Sequence, residues 1–199
     1  MKYIYFDSCC FISYLSGDQN GEKLKGVIKA AAEQKVRIIT SAFTEVEVVK
    51  LKDPVTKCRQ RVTKEVMGKI QDCFDLPNNV FLINVDGFVA RKARDLVWDC
   101  NVDPKDAMHL GTAVYFKETY LEEKDSLCFW TFDTEFIKRV QRSSVDIDIS
   151  AAGESNRSGI ENLELLVDVL RGESVSFDVS DYRFKSGLEL AYSGHNLVP

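Results

Sequence analysis

The sequence predicts an α/β protein in which a mostly parallel, five-stranded sheet lies between two layers of helices, an α/β/α sandwich. Short runs of β-branched and aromatic residues alternate with longer helix-prone segments over residues 1–149. Strands that alternate with helices form parallel sheets covered on both faces. Acidic residues also follow several of the apolar runs. Because ligands of parallel α/β sheets bind beyond the carboxyl ends of the strands, we expect functional residues at that edge.

The five strands are expected where the apolar runs are short and rich in β-branched or aromatic residues. They are residues 3–6, 36–41, 80–83, 127–132 and 145–149. The last is expected to be an edge strand, because apolar and acidic residues alternate along it. Helices are expected after Ser8, over 22–34, from Thr44, within 50–75, from a cap at Asp86 to about Trp98, from Asp103-Pro104, and from Asp133 to Arg142.

The composition changes after residue 150. Residues 151–159 are small and polar, which is typical of a linker. Helical spacing of apolar residues follows over 160–170, and strand-like alternation over 175–179. We predict one domain of residues 1–149, followed by a linker and C-terminal extension of residues 150–199. The extension could cover the sheet, form a dimer or hold a partner.

Composition and charge exclude several classes of protein. The chain has 199 residues, 45% of them hydrophobic, which suffices for one core with appended structure. No stretch approaches the roughly 18 to 20 apolar residues of a membrane span, so we expect a cytoplasmic protein without membrane contact. A net charge of −5 argues against bulk attraction to nucleic acid. The six cysteines form no Cys-x-x-Cys pair, so we expect reduced, mostly buried thiols.

Four acidic residues stand where the predicted sheet would gather them. Asp7 follows the first strand, Glu47 comes shortly after the second, and Asp133 follows the fourth. Asp106 falls in the first turn of the helix that begins near Pro104. Each also has a structural interpretation: Asp7 as a helix cap, Glu47 in a Thr44-x-x-Glu47 capping box, Asp106 at a helix dipole, and Asp133 in a turn.

Four carboxylates at one edge would repel each other when ionised. Unless protonation or basic partners relieve this repulsion, a hard divalent cation is the natural solution, and Mg²⁺ or Mn²⁺ prefers oxygen ligands. Such an ion can activate water for attack on a phosphodiester and neutralise charge on the phosphate. The spacing therefore favours phosphodiester hydrolysis.

Four segments resemble, in order, the successive motifs of PIN domains, in particular those of the VapC-like toxin branch. They are Tyr5 to Ser8, Ser41 to Glu47, Asp106 to Ala113, and Thr131 to Phe136. The resemblance covers residues 1 to about 149, and the set of four motifs is more specific than any one of them. It implies a compact α/β/α fold, a Mg²⁺ or Mn²⁺ site, and cleavage of single-stranded RNA.

The resemblance also implies roles for individual residues. Asp7, Asp106 and Asp133 would bind or position the metal, and Glu47 would complete the site through metal or water. The motif selects Glu47 rather than Glu45 because it stands six residues after Ser41. Ser8 and Thr131 resemble hydroxyls that line such sites, where they would contact metal-bound water or substrate; local capping is the alternative for both.

We therefore expect a metal-dependent endoribonuclease with RNA as substrate. A toxin of a toxin–antitoxin pair, with an antitoxin protein as partner, and a homodimer are further expectations. Segment 50–75 is longer than in compact toxins, and the tail has no counterpart in the minimal domain; both features depart from the toxin pattern and not from the four nuclease motifs. The alternative is a non-catalytic PIN-fold module that binds RNA or serves as a protein scaffold.

Other conspicuous side chains are expected to be structural. His109 follows Asp106 by three residues, but we interpret it as a packing residue rather than a general base. Trp98 and Trp130 are expected in the core. We interpret the basic residues of 50–69 as a solvated helix face rather than as a path for a phosphate backbone. The basic residues over 138–142, close after Asp133, are a second candidate for such a path at the rim of the acidic site.

Overall fold

The computed structural model describes residues 1–49, 51, 56, 58, 63–75 and 80–153. The strands in this part of the chain are β1 (Lys2–Phe6), β2 (Arg37–Ser41), β3 (Val80–Ile83), β4 (Ser126–Thr131) and β5 (Asp148–Ala151). The helices are α1 (Ser8–Ser16), α2 (Gln19–Ala32), α3 (Phe43–Glu47), α4 (Lys64–Asp75), α5 (Gly87–Cys100), α6 (Pro104–Tyr120) and α7 (Thr134–Gln141). Most of the basic residues of 50–62, and the predicted helix and strand of the tail, lie outside the described residues.

The five strands form one sheet in the order β3-β2-β1-β4-β5, and every pairing is parallel. The predicted parallel sheet is confirmed. The chain runs outward from β1 through β2 to β3, then returns to β4 on the other side of β1. The order therefore reverses between β1 and β4, and a crevice for ligands opens at such a reversal beyond the strand ends.

Helices cover both faces of the sheet, as predicted. Tyr5, near the middle of β1, belongs to a core with residues of α5, α6 and α7. Its neighbours along the strand point to the opposite face. There Phe6 and Ile38 line a cavity together with residues of α1, α2 and α4. Paired residues of β1 and β4 stack their rings on both faces: Tyr5 on Phe129 with centroids 4.7 Å apart, and Phe6 on Trp130 at 5.9 Å.

Aspartates begin most of these helices. Asp7, Asp18, Asp86, Asp103 and Asp133 are the N-caps of α1, α2, α5, α6 and α7, and each accepts a hydrogen bond from a backbone N–H of the first turn. The caps predicted at Asp86 and Asp103 are confirmed. Because these caps fix where each helix starts, they also fix which residues face the edge of the sheet.

The fifth strand begins three residues later than the sequence predicts. Residues 145–147 precede the strand, and Thr131 pairs with Ala151, so Ala151 is part of the sheet rather than of a linker. The alternation in 145–147 has another cause. Val145 and Ile147 pack against the core, while Asp146 is held by Lys117 at 2.9 Å through its carboxylate and 2.8 Å through its backbone carbonyl.

Trp98 is exposed, contrary to the prediction that it lies in the core, whereas Trp130 is buried as predicted. The buried face of α5 consists of Val89, Ala93, Leu96 and Cys100. Trp98 lies off this face and is 70% exposed, with the guanidinium of Arg94 5.0 Å from the centre of its ring. The prediction for Trp98 was wrong because apolar neighbours in sequence do not show which face of a helix a residue lies on.

The six cysteines are free thiols with different environments. Cys10 and Cys100 are buried, Cys58 is exposed, and the others are intermediate. The expected burial therefore holds for two of the six.

No helix in the described residues is long and apolar enough to cross a membrane. Contacts between residues divide the chain into two compact units, Met1–Ile160 and Glu161–Pro199.

Two glycines of α2 allow a test of how closely α1 and α2 pack. A Cβ at buried Gly21 would overlap the backbone carbonyl group of Ser13, whereas a Cβ at exposed Gly26 would meet nothing within 4 Å. We expect Gly21→Ala to lower the free energy of unfolding by about 2 kcal/mol or more. We expect Gly26→Ala to raise it by about 0.5–1 kcal/mol. Urea unfolding of both variants measures the pair; equal effects of the two substitutions would contradict this packing.

Candidate active site at the carboxyl edge of the sheet

Asp7 lies at the end of β1, next to the reversal in strand order. Its backbone N–H donates to the carbonyl of Trp130 at 3.1 Å, and its side chain is largely buried, with the residue 9% exposed. Oδ1 accepts the N–H of Ser8 at 2.6 Å, so Asp7 does cap α1. Oδ2 accepts the hydroxyl of Thr131 at 2.7 Å. These two bonds fix the orientation of the Asp7 carboxylate at the end of β1.

Thr131 and Ser8 support Asp7 directly. The hydroxyl of Thr131 is fully buried; it donates to Asp7 and accepts the N–H of Asp133 at 3.1 Å, which ties the end of β4 to the end of β1. The Ser8 hydroxyl lies 3.3 Å from Asp7 Oδ1. The thiol of Cys9 completes the group, 3.2 Å from Asp7 Oδ2. Sequence reasoning did not single out Cys9.

Glu47 ends the short helix α3, and the capping box that was its alternative structural interpretation does not form. The helix begins at Phe43 without a side-chain cap, and Thr44 lies inside the helix, where its hydroxyl shares a 2.6 Å hydrogen bond with that of Thr40. Glu47 Oε2 instead lies 2.6 Å from His109 Nε2, and Oε1 lies 3.7 Å from Lys105 Nζ. Glu45, on the same helix, is exposed.

His109 is the residue whose role the sequence analysis missed. It is buried, as predicted for a packing residue, but both ring nitrogens have polar partners: Nε2 contacts Glu47, and Nδ1 lies 3.0 Å from the Tyr5 hydroxyl. Nε2 is also 3.7 Å from Asp7 Oδ1. One ligand-type atom each from Asp7, Glu47 and His109 lies within 4.8 Å of the others. The spacing of His109 three residues after Asp106 did not identify this role, because its partners Tyr5 and Glu47 are distant in the sequence.

Asp106 and Asp133 lie outside this closest group but act electrostatically on the same region. Asp106 is partly buried in the first turn of α6; burial raises its pKa to about 6, and the charges of Asp7, Asp133 and Asp103 contribute. Asp133 is exposed and caps α7, with Oδ1 accepting two backbone N–H groups at 2.9 Å. Burial and the charges of these neighbouring acids therefore make Asp106 resist ionisation.

Glu47 shows the opposite shift. The hydrogen bond from His109 lowers the pKa of Glu47, and the Ser8 hydroxyl and Lys105 act in the same direction against partial burial. Glu47 therefore stays ionised at neutral pH. The edge thus combines a carboxylate stabilised by donors with a second carboxyl, Asp106, that resists ionisation because it is partly buried beside other acids.

A PIN domain family model matches residues 4–142, a span that contains all four acidic residues. The chain belongs to the PIN domain family. This confirms the resemblance of its four motifs, and the observed parallel sheet with helices on both faces confirms the fold that the resemblance implied.

Two solved structures are similar to this PIN domain. A toxin–antitoxin complex from Klebsiella pneumoniae is 18% identical with a TM-score of 0.44, over 67% of this chain and 89% of that chain. VapBC2 from Rickettsia felis, bound to a DNA fragment from its promoter, is 13% identical with a TM-score of 0.49, over 76% of this chain and 98% of that chain. A comparison with curated proteins finds no match. Likenesses this distant establish neither an activity nor a partner for this PIN domain.

The donors at this edge fit a hard divalent cation. Carboxylate oxygens are the ligands that Mg²⁺ and Mn²⁺ prefer, and burial together with the charges of neighbouring acids makes ionisation of Asp106 unfavourable without a cation. Among the described residues, one lysine or arginine lies within 4.0 Å of any of these four carboxylates: Lys105, beside Glu47, whose side chain is 70% exposed. A bound cation would remove this deficit.

The raised pKa of Asp106 predicts a pH-dependent stability of the metal-free PIN domain. Its cause favours the protonated carboxyl in the folded state, so ionisation costs stability; the cost is absent below the ordinary pKa of 3.8 and complete above about 6. We expect Asp106→Asn to stabilise the metal-free protein at pH 7.5 by roughly 1 kcal/mol, after discounting for solvent screening.

Denaturant unfolding in chelator at pH 7.5 and pH 4.5 measures this effect. The gain should shrink at the lower pH, because folded parent Asp106 is then largely protonated and only part of the cost of its ionisation remains. Exposed Asp99→Asn is the control and should show no such change. A gain from Asp106→Asn that is the same at both pH values would contradict the assignment.

Proposed function

We propose that this PIN domain is a metal-dependent endoribonuclease that hydrolyses phosphodiester bonds of single-stranded RNA with Mg²⁺ or Mn²⁺. The observation that carries the proposal is the unrelieved negative charge at the carboxyl edge. Asp7 and Glu47 lie together there, and burial together with the charges of Asp7 and Asp133 disfavours ionisation of Asp106. Membership of the PIN family supports nuclease chemistry, and the motif resemblance supports RNA as the substrate.

In this proposal the acidic residues divide the work. Asp7, Asp106 and Asp133 bind or position the cation, and Glu47 completes the site through metal or water. When bound, the cation polarises water and neutralises charge on the phosphate. Thr131 fixes the orientation of Asp7 through its 2.7 Å hydrogen bond, while Ser8 supports both Asp7 and Glu47. The protein's contribution is to hold these oxygens in place before substrate arrives.

Basic side chains at the rim are suited to phosphate contacts. Lys105 stands beside Glu47, in the first turn of α6, and is exposed. Beyond Asp133, Lys138 pairs with Glu135 at 2.7 Å, and Arg139 donates to the carbonyl of Asn101 at 3.0 Å. Lys105 is therefore the better candidate to guide an RNA backbone toward the carboxylates.

The motif resemblance to the VapC-like branch extends the proposal to a cytoplasmic toxin that an antitoxin protein binds, and to a homodimer. A small antitoxin reading frame beside this gene, together with co-purification of its product, is the test of the toxin role. Size-exclusion chromatography with light scattering tests the homodimer. Both are separate from the nuclease proposal, which concerns the carboxylates alone.

We expect the purified protein to cleave single-stranded RNA in Mg²⁺ or Mn²⁺ and to stop when chelator is added. Asp7→Asn and Asp106→Asn should lower the rate by about 100-fold or more, at or beyond the upper end of losses seen for residues that merely support metal ligands. Asparagine keeps the capping oxygen of residue 7 and is nearly the same size as aspartate at residue 106, so both variants should retain the fold, as circular dichroism would show.

Glu47 and Glu45 form a matched pair for the same assay. They lie two residues apart on α3, but only Glu47 contacts His109 and Lys105. We expect Glu47→Gln to lower cleavage about 10- to 100-fold and Glu45→Gln to leave it unchanged. No cleavage of varied RNA and DNA substrates, with no Mn²⁺ bound at the carboxylates, would instead favour a non-catalytic RNA-binding or scaffold module.

A further inference from the structure

We propose that His109 is a positioning residue for Glu47: its Nε2–H holds the Glu47 carboxylate beside Asp7, and the Tyr5 hydroxyl fixes the imidazole in the tautomer that allows this. The inference rests on the proposed function, because it concerns the same carboxylates. It assigns a task to two buried polar side chains, Tyr5 and His109, that the proposed chemistry does not itself require.

The first step concerns the tautomer of His109. The ring is 1% exposed, so each nitrogen depends on a protein partner rather than on water. The Tyr5 oxygen accepts the backbone N–H of Ser41 at 3.1 Å, which leaves the tyrosine proton to be donated to Nδ1 at 3.0 Å. Nδ1 is then the acceptor, so Nε2 carries the hydrogen and points it at Glu47.

The second step concerns the freedom of Glu47. Its helix α3 is only five residues long, and the ammonium group of Lys105 is exposed and 3.7 Å from Glu47 Oε1. A glutamate side chain loses substantial rotamer freedom when it is fixed, so a strong partner is needed. The 2.6 Å contact with a buried imidazole is of the short, charge-assisted kind. It keeps the Glu47 carboxylate within reach of Asp7.

The third step separates positioning from metal ligation. In the tautomer set by Tyr5, Nε2 has no lone pair to offer an ion. Two ligands of an octahedral ion at about 2.1 Å would also stand about 3 Å apart or more, whereas Nε2 and Glu47 Oε2 are 2.6 Å apart. The three residues with clustered ligand-type atoms therefore act as two carboxylates and one hydrogen-bond donor.

Binding of Mn²⁺ alone, followed by electron paramagnetic resonance, tests the inference with three variants of the full chain. His109→Leu removes the donor, His109→Gln retains an amide N–H at a similar reach, and Tyr5→Phe removes only the hydroxyl while keeping the ring on Phe129. Tyr120→Phe, on the exposed end of α6, is the control.

We expect His109→Leu to weaken Mn²⁺ binding about 10-fold or more and Tyr5→Phe to weaken it several-fold, while His109→Gln stays within about threefold of the parent. A merely structural role would not predict rescue by glutamine. In RNA cleavage the same order should appear in kcat, with KM for RNA unchanged. Tyr5→Phe decides the question if His109→Leu does not fold.

Three results would overturn the inference. One is a folded His109→Leu or Tyr5→Phe variant that binds Mn²⁺ as tightly as the parent. Another is a nitrogen coupling in the Mn²⁺ signal that disappears in His109→Gln, because His109 would then be a ligand. The third is no Mn²⁺ binding by the parent. Binding that depends on His109 without RNA cleavage would support positioning and refute the ribonuclease proposal, so the two failures are distinguishable.

Discussion

The pairing of β1 with β4 is the constraint on which the rest of this structure depends. It stacks Tyr5 on Phe129 and Phe6 on Trp130, one pair on each face of the sheet, and it brings Thr131 next to Asp7. If the two strands were shifted by one residue, neither Thr131 nor Asp7 could take its position, because such a shift exchanges the two faces of the sheet. The register of this pair therefore sets the core and the candidate site together.

Capping and site formation turn out to be compatible roles for the same acids. Asp7 and Asp133 each accept the first-turn N–H groups through Oδ1, while Oδ2 of Asp7 points to Thr131. The helix caps thus orient the carboxylates at the edge of the sheet, and the structural and functional interpretations of these residues are not alternatives. Glu47 is different: it takes no part in a cap, and its orientation comes from His109 and Lys105.

The sequence was informative wherever local patterns decide the structure. Strand runs, caps at Asp86 and Asp103 and the four motif segments predicted the fold and the edge where the acids lie. Local patterns misled where other side-chain contacts decide. Thr44 matched a capping box, but its hydroxyl bonds to Thr40 inside α3. The alternation of 145–147 reflects the packing of Val145 and Ile147 against the core and the pairing of Asp146 with Lys117, not a strand. The role of His109 depends on Tyr5, 104 positions away, which local spacing does not reveal.

The two carboxyls with opposite pKa shifts give the edge an internal asymmetry. His109 lowers the pKa of Glu47, whereas burial and neighbouring acids raise that of Asp106 to about 6. A proton and a divalent cation compete for the same oxygens, and the proton competes best where the pKa is highest. As pH falls through about 6, the metal-free site therefore gains its proton first at Asp106, while Glu47 stays ionised beside Asp7. The pH dependence of cation affinity at this edge should thus come chiefly from Asp106, because the hydrogen bond from the buried imidazole keeps Glu47 ionised.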